Sequence, residues 1–595
     1  VEGVKKIFNI MPEEKFEKSS LEKLARFDRK FFNSEEVCTY IGSGSIGGKA
    51  QGLVFIKDSL AAHFNHQAFP DIAVNIPTFT VIATDMFDAF MKRNNLYEIA
   101  YSDVRDEYIA AAFQKASLPA ELVGDLYALI AQVHTPLAIR SSSLLEDKMF
   151  EPFAGVYATK MIPNNQFDTE SRFRILVEAI KFVYASTFFK EAKDYIKMTK
   201  QTAADEKMAV IIQEVVGQRF GERYYPHFAG VGRSYNFYPT GHAQPKDGVI
   251  NLALGLGKMI VDGGKSWTYA PTFPRAYPPY KSMGDLLKQT QNEFWAVNMG
   301  KTPAHDPIKE TEYMIKCGLE DSEKDGTLRF VASTYSPQDD RISVGIGGKG
   351  PRVATFAPIL QLRQVPINDL LKELLKLCES ILGREVEIEF AVSLDPDRGI
   401  PARFGFLQVR PMFVSDARIE LADDEMSSPR AVVASNEVLG NGLINTIQDV
   451  VYLKTSKFDE RESRLIAADL NVINKQLVEQ NRAYMLVVYG RLGTTDPPFG
   501  IPVEWANISG AKVIIEATLP DMNVELSQGS HFFHNVISFQ VGYFSVRHSS
   551  QYSINWQWIE KQPTVAETQY VRHVRPAASL VIKIDGKNRR GVVLQ

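Results

Sequence analysis

Cysteine is scarce. Cys38, Cys317 and Cys378 are the only three in 595 residues, far apart and without a CxxC pair. A disulfide framework and a cysteine-ligated zinc site are therefore not expected, and the usage suits a reducing, cytoplasmic setting. Long apolar runs are also missing: charge breaks every stretch before the roughly 18 residues a membrane helix needs. No membrane partner is expected. The start, Val1 followed by EGVKK, has no signal-peptide core. With Val in place of Met, the chain reads as a processed or excised piece of something longer. An excess of one charge is lacking too. Lys and Arg number 67 against 71 Asp and Glu, a net charge of −4, which argues against nucleic acid as a partner. A locally basic phosphate site remains compatible with that balance. No internal repeat or low-complexity tract is present.

What remains is the composition of a globular protein, 45% hydrophobic and 23% charged. The length exceeds one ordinary core, so at least two domains are expected. The spacing predicts a helix within 13–35, where Leu21, Leu24, Ala25 and Phe32 recur near helical intervals. A strand at Tyr40–Ile41 then leads through a glycine loop into a helix over about 50–63. Further expected strands are Ile76–Val81, Leu137–Arg140, Met208–Val216, Phe228–Tyr238, Val249–Gly255 and Arg329–Ala332. Expected helices cover about 84–95, most of 104–133, 172–199 and 367–383. A polar, acidic segment at 414–430 containing SSP marks a boundary. Beyond it come a strand at 449–453, a helix at 459–480 and a strand at Tyr484–Val488.

Three local patterns carry chemistry. The first is a predicted hairpin, Glu385–Val392 with Phe404–Met412. Glu387 and Glu389 share one strand face, and Gln408 and Arg410 share one face of the next; Ile388, Phe390, Leu407 and Val409 take the other side. If the register joins the polar faces, Glu389 and Gln408 present hard oxygen ligands side by side, with Arg410 as a phosphate fork two residues on. The same alternation also describes a surface hairpin with one solvated face. The second pattern is Ser43-Gly-Ser-Ile-Gly-Gly-Lys49 before a helix, where backbone amides and Lys49 suit an anion. It is not a Walker A loop, which needs Gly at Ser43 and Ser or Thr at Ala50. A similar GGKG at 347–350 has no helix pattern after it and reads as a plain turn. The third is LAIRSSSLLED, 137–147, followed by FAGVY, 153–157. It delivers Arg140 and three serines at a strand tip, with the FAG turn as a candidate lid. The alternative is Arg140 paired structurally with Glu146 or Asp147.

Together these segments resemble the nucleotide-binding domain shared by phosphoenolpyruvate synthase, pyruvate phosphate dikinase, the glucan water dikinases and the rifampin phosphotransferases. The order matches from residue 40 to 412: GGK, AIRSSSLLED, FAGVY, MAVIIQEVV, GLGKMIVDGG, EIEFAV, LQVRP. The resemblance implies an α+β fold, an ATP-grasp-type module of several lobes (39–205 and 206–415) after a helical segment 1–38. A smaller mixed α/β domain, 430–595, follows. It implies ATP and Mg as cofactors and a dikinase-like phosphotransferase activity. Carried over by position, Gly47, Gly48, Lys49, Arg140 and Gly155 meet the phosphates, and Gln213 and the backbone near Val215 meet adenine. Glu389 and Gln408 hold magnesium, and Arg410 lies on the transferred phosphoryl group. One departure is Lys258, where the family usually has an acidic residue.

The swinging histidine domain of the dikinases, with its T-x-H-x-A context, is not found among the ten histidines. Roughly 180 residues follow position 415, too few for a barrel of about 250. The phosphoacceptor is therefore expected on another chain, on a further part of this one, or as another molecule. A non-catalytic ATP-sensing module is the alternative. The C-terminal region, with GRLGTTDP and GSHFFHN, resembles uncharacterised relatives. His531 and His534 would share a helix face, and Glu525 is a guessed third zinc ligand; satisfied structural histidines are the alternative.

Overall fold

The computed structural model describes residues 24–29, 38–143, 156–198, 206–237, 239, 241–278, 280, 283–395, 399–412, 419, 421–454, 459–494, 500–520, 522, 532, 536, 541–586 and 588–595. The architecture is mixed α/β with several separate sheets, the coarse form of the expected class. Gly155, Glu146, Asp147, Glu525, His531 and His534 lie outside the described residues.

The first sheet has six strands in the order Ala25–Arg26, Cys38–Ile41, Phe79–Ile82, Met208–Glu214, Leu137–Ser143, Thr159–Ile162. The second runs Trp267–Tyr269, Val249–Ala253, Phe228–Arg233, Val386–Asp395, Ile400–Pro411, Ile72–Asn75. Chain order and sheet membership do not coincide, since Ile72–Asn75 closes the second sheet while Met208–Glu214 is central in the first. A four-stranded sheet (218–220, 223–225, 293–298, 314–318) and a three-stranded one (332–336, 341–344, 352–354) complete this part. The GGKG turn lies between the last two strands of the latter, as expected.

Several expected elements are corrected. Ala25–Arg26 is a strand paired with Thr39 and Tyr40 rather than part of a helix; the rest of 13–35 is largely outside the described residues. Of the expected strand Ile76–Val81 only Phe79–Val81 is extended in a ladder, as part of Phe79–Ile82, and residues 76–78 separate it from the strand Ile72–Asn75, since Pro77 lacks the N–H a ladder needs. The helix expected over 172–199 becomes Thr169–Ser186 and Lys190–Met198. Between them Phe188, 1% exposed, turns into the core against Phe87 and Phe113. The strand placed at Arg329–Ala332 is a 3-10 turn, Leu328–Phe330, before Ala332–Ser336. Other boundaries have local causes. Asp168 caps the helix Thr169–Ser186 by accepting the Ser171 N–H at 2.7 Å. Gly383, at φ 67°, ends the helix Ile367–Leu382.

The C-terminal region has its own seven-stranded sheet. At its centre Asp449–Leu453, Tyr484–Tyr489, Ala511–Ala517 and Gly542–Val546 run parallel, with the helix Ser463–Glu479 as a crossover. One apolar cluster joins this sheet to the helical side of the first sheet, from Phe90 and Ile180 through to Val451 and Ile514. A second cluster packs the helix Gly47–His63 and the helix Ile367–Leu382 against the second sheet. The cleft lies between the two sheets. All three cysteines are buried and free, and burial pushes the Cys38 and Cys378 thiols up to about 12. Among the described residues no helix is long and apolar enough to cross a membrane.

Candidate functional site

The hairpin supplies one wall. Strands Val386–Asp395 and Ile400–Pro411 pair Glu387 with Arg410, Ile388 with Val409 and Glu389 with Gln408. The register then slips, so that Phe390 faces Phe406 and Leu407 is the extra residue of a bulge. Strict alternation put Leu407 on the apolar face. The bulge instead brings it to the cleft lining, with its carbonyl accepting from Arg140 at 3.0 Å. Ile388, Phe390 and Val409 enter the core as expected.

The polar face is a buried charge network. Arg410 donates from Nε to Glu387 at 2.6 Å and from Nη2 to Glu389 at 2.9 Å. The second Glu387 oxygen pairs with Arg233, which stands directly across the neighbouring strand. Glu387 and Arg233 are 2% and 1% exposed, and charges so removed from water persist only when matched. Arg233 escapes sequence reading. Its signal is a single cation ending the apolar run FAGVGR.

The opposite wall is the strand Leu137–Ser143. Arg140 donates to Gln213 Oε1 at 3.1 Å and to Gln408 Oε1 at 3.0 Å, and its Nη2 is 3.9 Å from Glu389 Oε2. Residues distant in sequence are thereby brought together across the cleft. Lys49 joins them from the first turn of the helix Gly47–His63, donating to Ser141 Oγ at 3.2 Å. Lys49, Arg140, Arg233 and Arg410 face two carboxylates, Glu387 and Glu389, so this end is net positive inside an acidic chain. Such a field favours an anion.

The glycine loop is shaped differently from expectation. The N–H groups of Ser43 and Gly44 are donated to the Asp85 carboxylate, each at 2.9 Å, and that of Gly47 to Ser45 Oγ at 3.2 Å. The anion those loop amides meet is thus a side chain of the protein itself. Gly47 is required for a second reason. At φ +73° its Cβ position would lie 1.8 Å from the Ser142 carbonyl oxygen. Ser142 locks the helix start by donating to Ile46 O at 2.8 Å and accepting the Ala50 N–H at 3.1 Å. Gly48 is in the helix's first turn, and Lys49 is the residue of this loop that lines the cleft.

Ala138, Met161, Val215, Leu256 and Met314 form an apolar slot within the same cavity of about 240 Å³. Gln213 and Val215 both line it. The Val215 N–H is committed to Pro136 O at 2.9 Å and its carbonyl accepts from Tyr224 Oη at 3.1 Å. Main-chain donation from Val215 to a base is therefore not available in this geometry; the carbonyl keeps a lone pair. Lys258 also lines the cleft, 3.0 Å from Asp262 and 3.6 Å from Glu310. Burial depresses its pKa, yet Glu310 and Asp262 outweigh that and raise it. The Lys258 cation thus stands between two carboxylates. Asp262 is four residues after Lys258 in the same segment, whereas Glu310 lies 52 positions on in sequence and carries no local signal.

Among the described residues no group of three His, Cys, Asp or Glu is disposed to hold a metal. Glu389 and Gln408 remain a carboxylate–amide oxygen pair on adjacent strands, hard donors of the sort magnesium takes while keeping water and ligand oxygens. Both oxygens at present accept from arginines, so a bound cation would compete with Arg140 for Gln408.

Compared with known families, residues 43–430 match the model for pyruvate phosphate dikinase, AMP/ATP-binding domain. No curated protein matches the chain.

Proposed function

The chain belongs to the family of the pyruvate phosphate dikinase AMP/ATP-binding domain, and from that premise we propose that its cleft binds ATP with magnesium and hands a phosphoryl group to an acceptor held outside residues 39–415. The observation that carries this reading is the meeting of Lys49, Arg140 and Arg410 with the Glu389–Gln408 pair on one cavity. Lys49 supplies a point charge and Arg140 a fork for the phosphates. Arg410, locked by Glu387 and Glu389, is aimed without freedom to reorient, as transition-state stabilisation requires. Gln213 and the apolar slot take the base. Glu389 and Gln408 would hold magnesium, which supplies charge neutralisation to the phosphate oxygens when bound. In the transfer, the bond from the departing phosphate to its bridging oxygen breaks, a bond to the acceptor forms, and the acceptor's proton leaves to solvent. The enzyme is cytoplasmic in this reading. Purified protein with magnesium should bind ATP and exchange label between ATP and AMP or ADP, with candidate acceptors present. Absence of both binding and exchange overturns the reading.

A second reading, nucleotide sensing without turnover, draws on a contact between the two parts of the chain. Thr494 in the GRLGTT loop, 2% exposed, donates to Gly263 O at 3.4 Å in the GLGKMIVDGG segment. The C-terminal sheet is thus tied to a loop beside the cleft. Steady ATP consumption that is lost in Arg410→Ala while binding persists would exclude this reading.

A further inference from the structure

The strand Thr159–Ile162 is the edge of the first sheet. Thr159 and Met161 line the cleft, whereas Lys160 stands opposite Ile139 on the reverse face, where Ile139 belongs to the core. The Lys160 ammonium is buried, its side chain 3% exposed. A charge in that position must be matched by nearby partners. It donates to Lys309 O at 2.7 Å and Asp306 O at 3.3 Å, pairs with the Glu312 carboxylate at 2.5 Å, and lies 4.6 Å from the centre of the Phe182 ring.

All but the ring come from one segment, 299–313, which joins the strands Glu293–Asn298 and Met314–Gly318 of the four-stranded sheet. Glu312 is itself fixed there. It accepts the Asp306 N–H at 3.1 Å and lies 3.2 Å from His305 Nδ1. Two residues before Glu312, Glu310 lines the cleft and contacts Lys258. The segment therefore passes around the edge strand, gripped by Lys160 on the reverse face and presenting Glu310 on the cleft face.

We propose that Lys160 is a positioning residue for the nucleotide cleft, clasping residues 306–312 so that Glu310 and Lys258 are held beside the apolar slot. The inference rests on the nucleotide reading above. Lys160 acts through Glu310 and not by touching a ligand. A merely structural role makes a different prediction: a buried ion pair replaced at both ends by neutral side chains of like size is often tolerated, and the cleft should then be unchanged.

The test uses the full chain and the variants Lys160→Met/Glu312→Gln, Glu310→Gln and their combination. Hydrogen exchange of amides 305–312 is measured without nucleotide, and the MgATP dissociation constant by calorimetry. In the double variant, exchange should quicken at least about tenfold and MgATP should bind about tenfold more weakly. In the Glu310→Gln background the same double change should have no further effect on affinity. Unchanged exchange overturns the clasp. Faster exchange with unchanged affinity overturns the positioning role, and a loss that persists in the Glu310→Gln background overturns the route through Glu310. If the wild-type chain binds no MgATP, the cleft reading fails, while the exchange comparison still decides whether the clasp exists.

Discussion

Glu387 and Glu389 lie two residues apart on one strand face, and their isosteric amides should fail in opposite ways. Glu387 is 2% exposed, with one oxygen 2.6 Å from Arg410 and the other on Arg233. Glu387→Gln leaves two guanidinium groups short of charge in a place water does not reach. Breaking such a buried network by removing one partner costs about 3–5 kcal/mol. Glu389 has a side chain 15% exposed and shares Arg410 with Glu387, so Arg410 keeps an anionic partner in Glu389→Gln. The cost there is one charge-assisted hydrogen bond, about 1.5–3 kcal/mol. Binding should show the reverse order. Ligand at about 100 times its Kd stabilises a protein by about 2.7 kcal/mol. That increment should survive in Glu387→Gln, which alters neither magnesium oxygen, and disappear in Glu389→Gln, which removes a carboxylate ligand. Urea unfolding with and without MgATP reads both quantities. Equal destabilisation by the two changes, with equal MgATP increments, would refute the division between scaffold and ligand carboxylates.

Gly47→Ala should destabilise the cleft and abolish nucleotide binding, because its Cβ would meet the Ser142 carbonyl at 1.8 Å and φ is +73°; thermal unfolding and calorimetry check this. In the C-terminal sheet, burial alone would raise Asp449, but hydrogen bonds from His573, Arg575 and Arg482 hold it at about 2. Its contribution is present above the unfolded value near 3.9 and is lost as pH falls toward 2. Stability measured from pH 5 to 2 should therefore fall less steeply in Asp449→Asn, from a lower starting point. Glu516 behaves oppositely. Burial lifts it to about 7, against the hydrogen bonds from Tyr543 and Leu492. The folded state holds its proton where the unfolded chain has released it, so stability should decline as pH rises from about 4.5 to 7. Glu516→Gln should flatten that decline in pH-dependent urea midpoints.

The hairpin is legible because a period of two places Glu387, Glu389, Gln408 and Arg410 without knowledge of anything else in the chain. Lys49 and Arg140 stand out because a cation follows a glycine loop or interrupts an apolar strand. The bulge at Leu407 is not legible, since a register slip depends on the packing of Phe390 and Phe406, which alternation ignores. Asp85 reads only as an acid in the first turn of the helix Thr84–Arg93. That its carboxylate takes the loop amides is a tertiary fact. The same holds for Arg233, Glu310 and Lys160, whose partners lie tens to hundreds of residues away. Sheet membership was hidden for a related reason: only Pro77 hints that the chain passes from the second sheet to the first between Asn75 and Phe79.

The claim on which the rest depends is that residues near 49, 140 and 389–410 serve one triphosphate. A crystal structure with magnesium and a non-hydrolysable ATP analogue tests it directly. The account predicts phosphates between Lys49, Arg140 and Arg410, a cation on Glu389 and Gln408, and the base in the slot beside Val215 and Met314. Nucleotide bound elsewhere on the chain, with Arg140 still donating to Gln408 and Gln213 across an empty cleft, would contradict it.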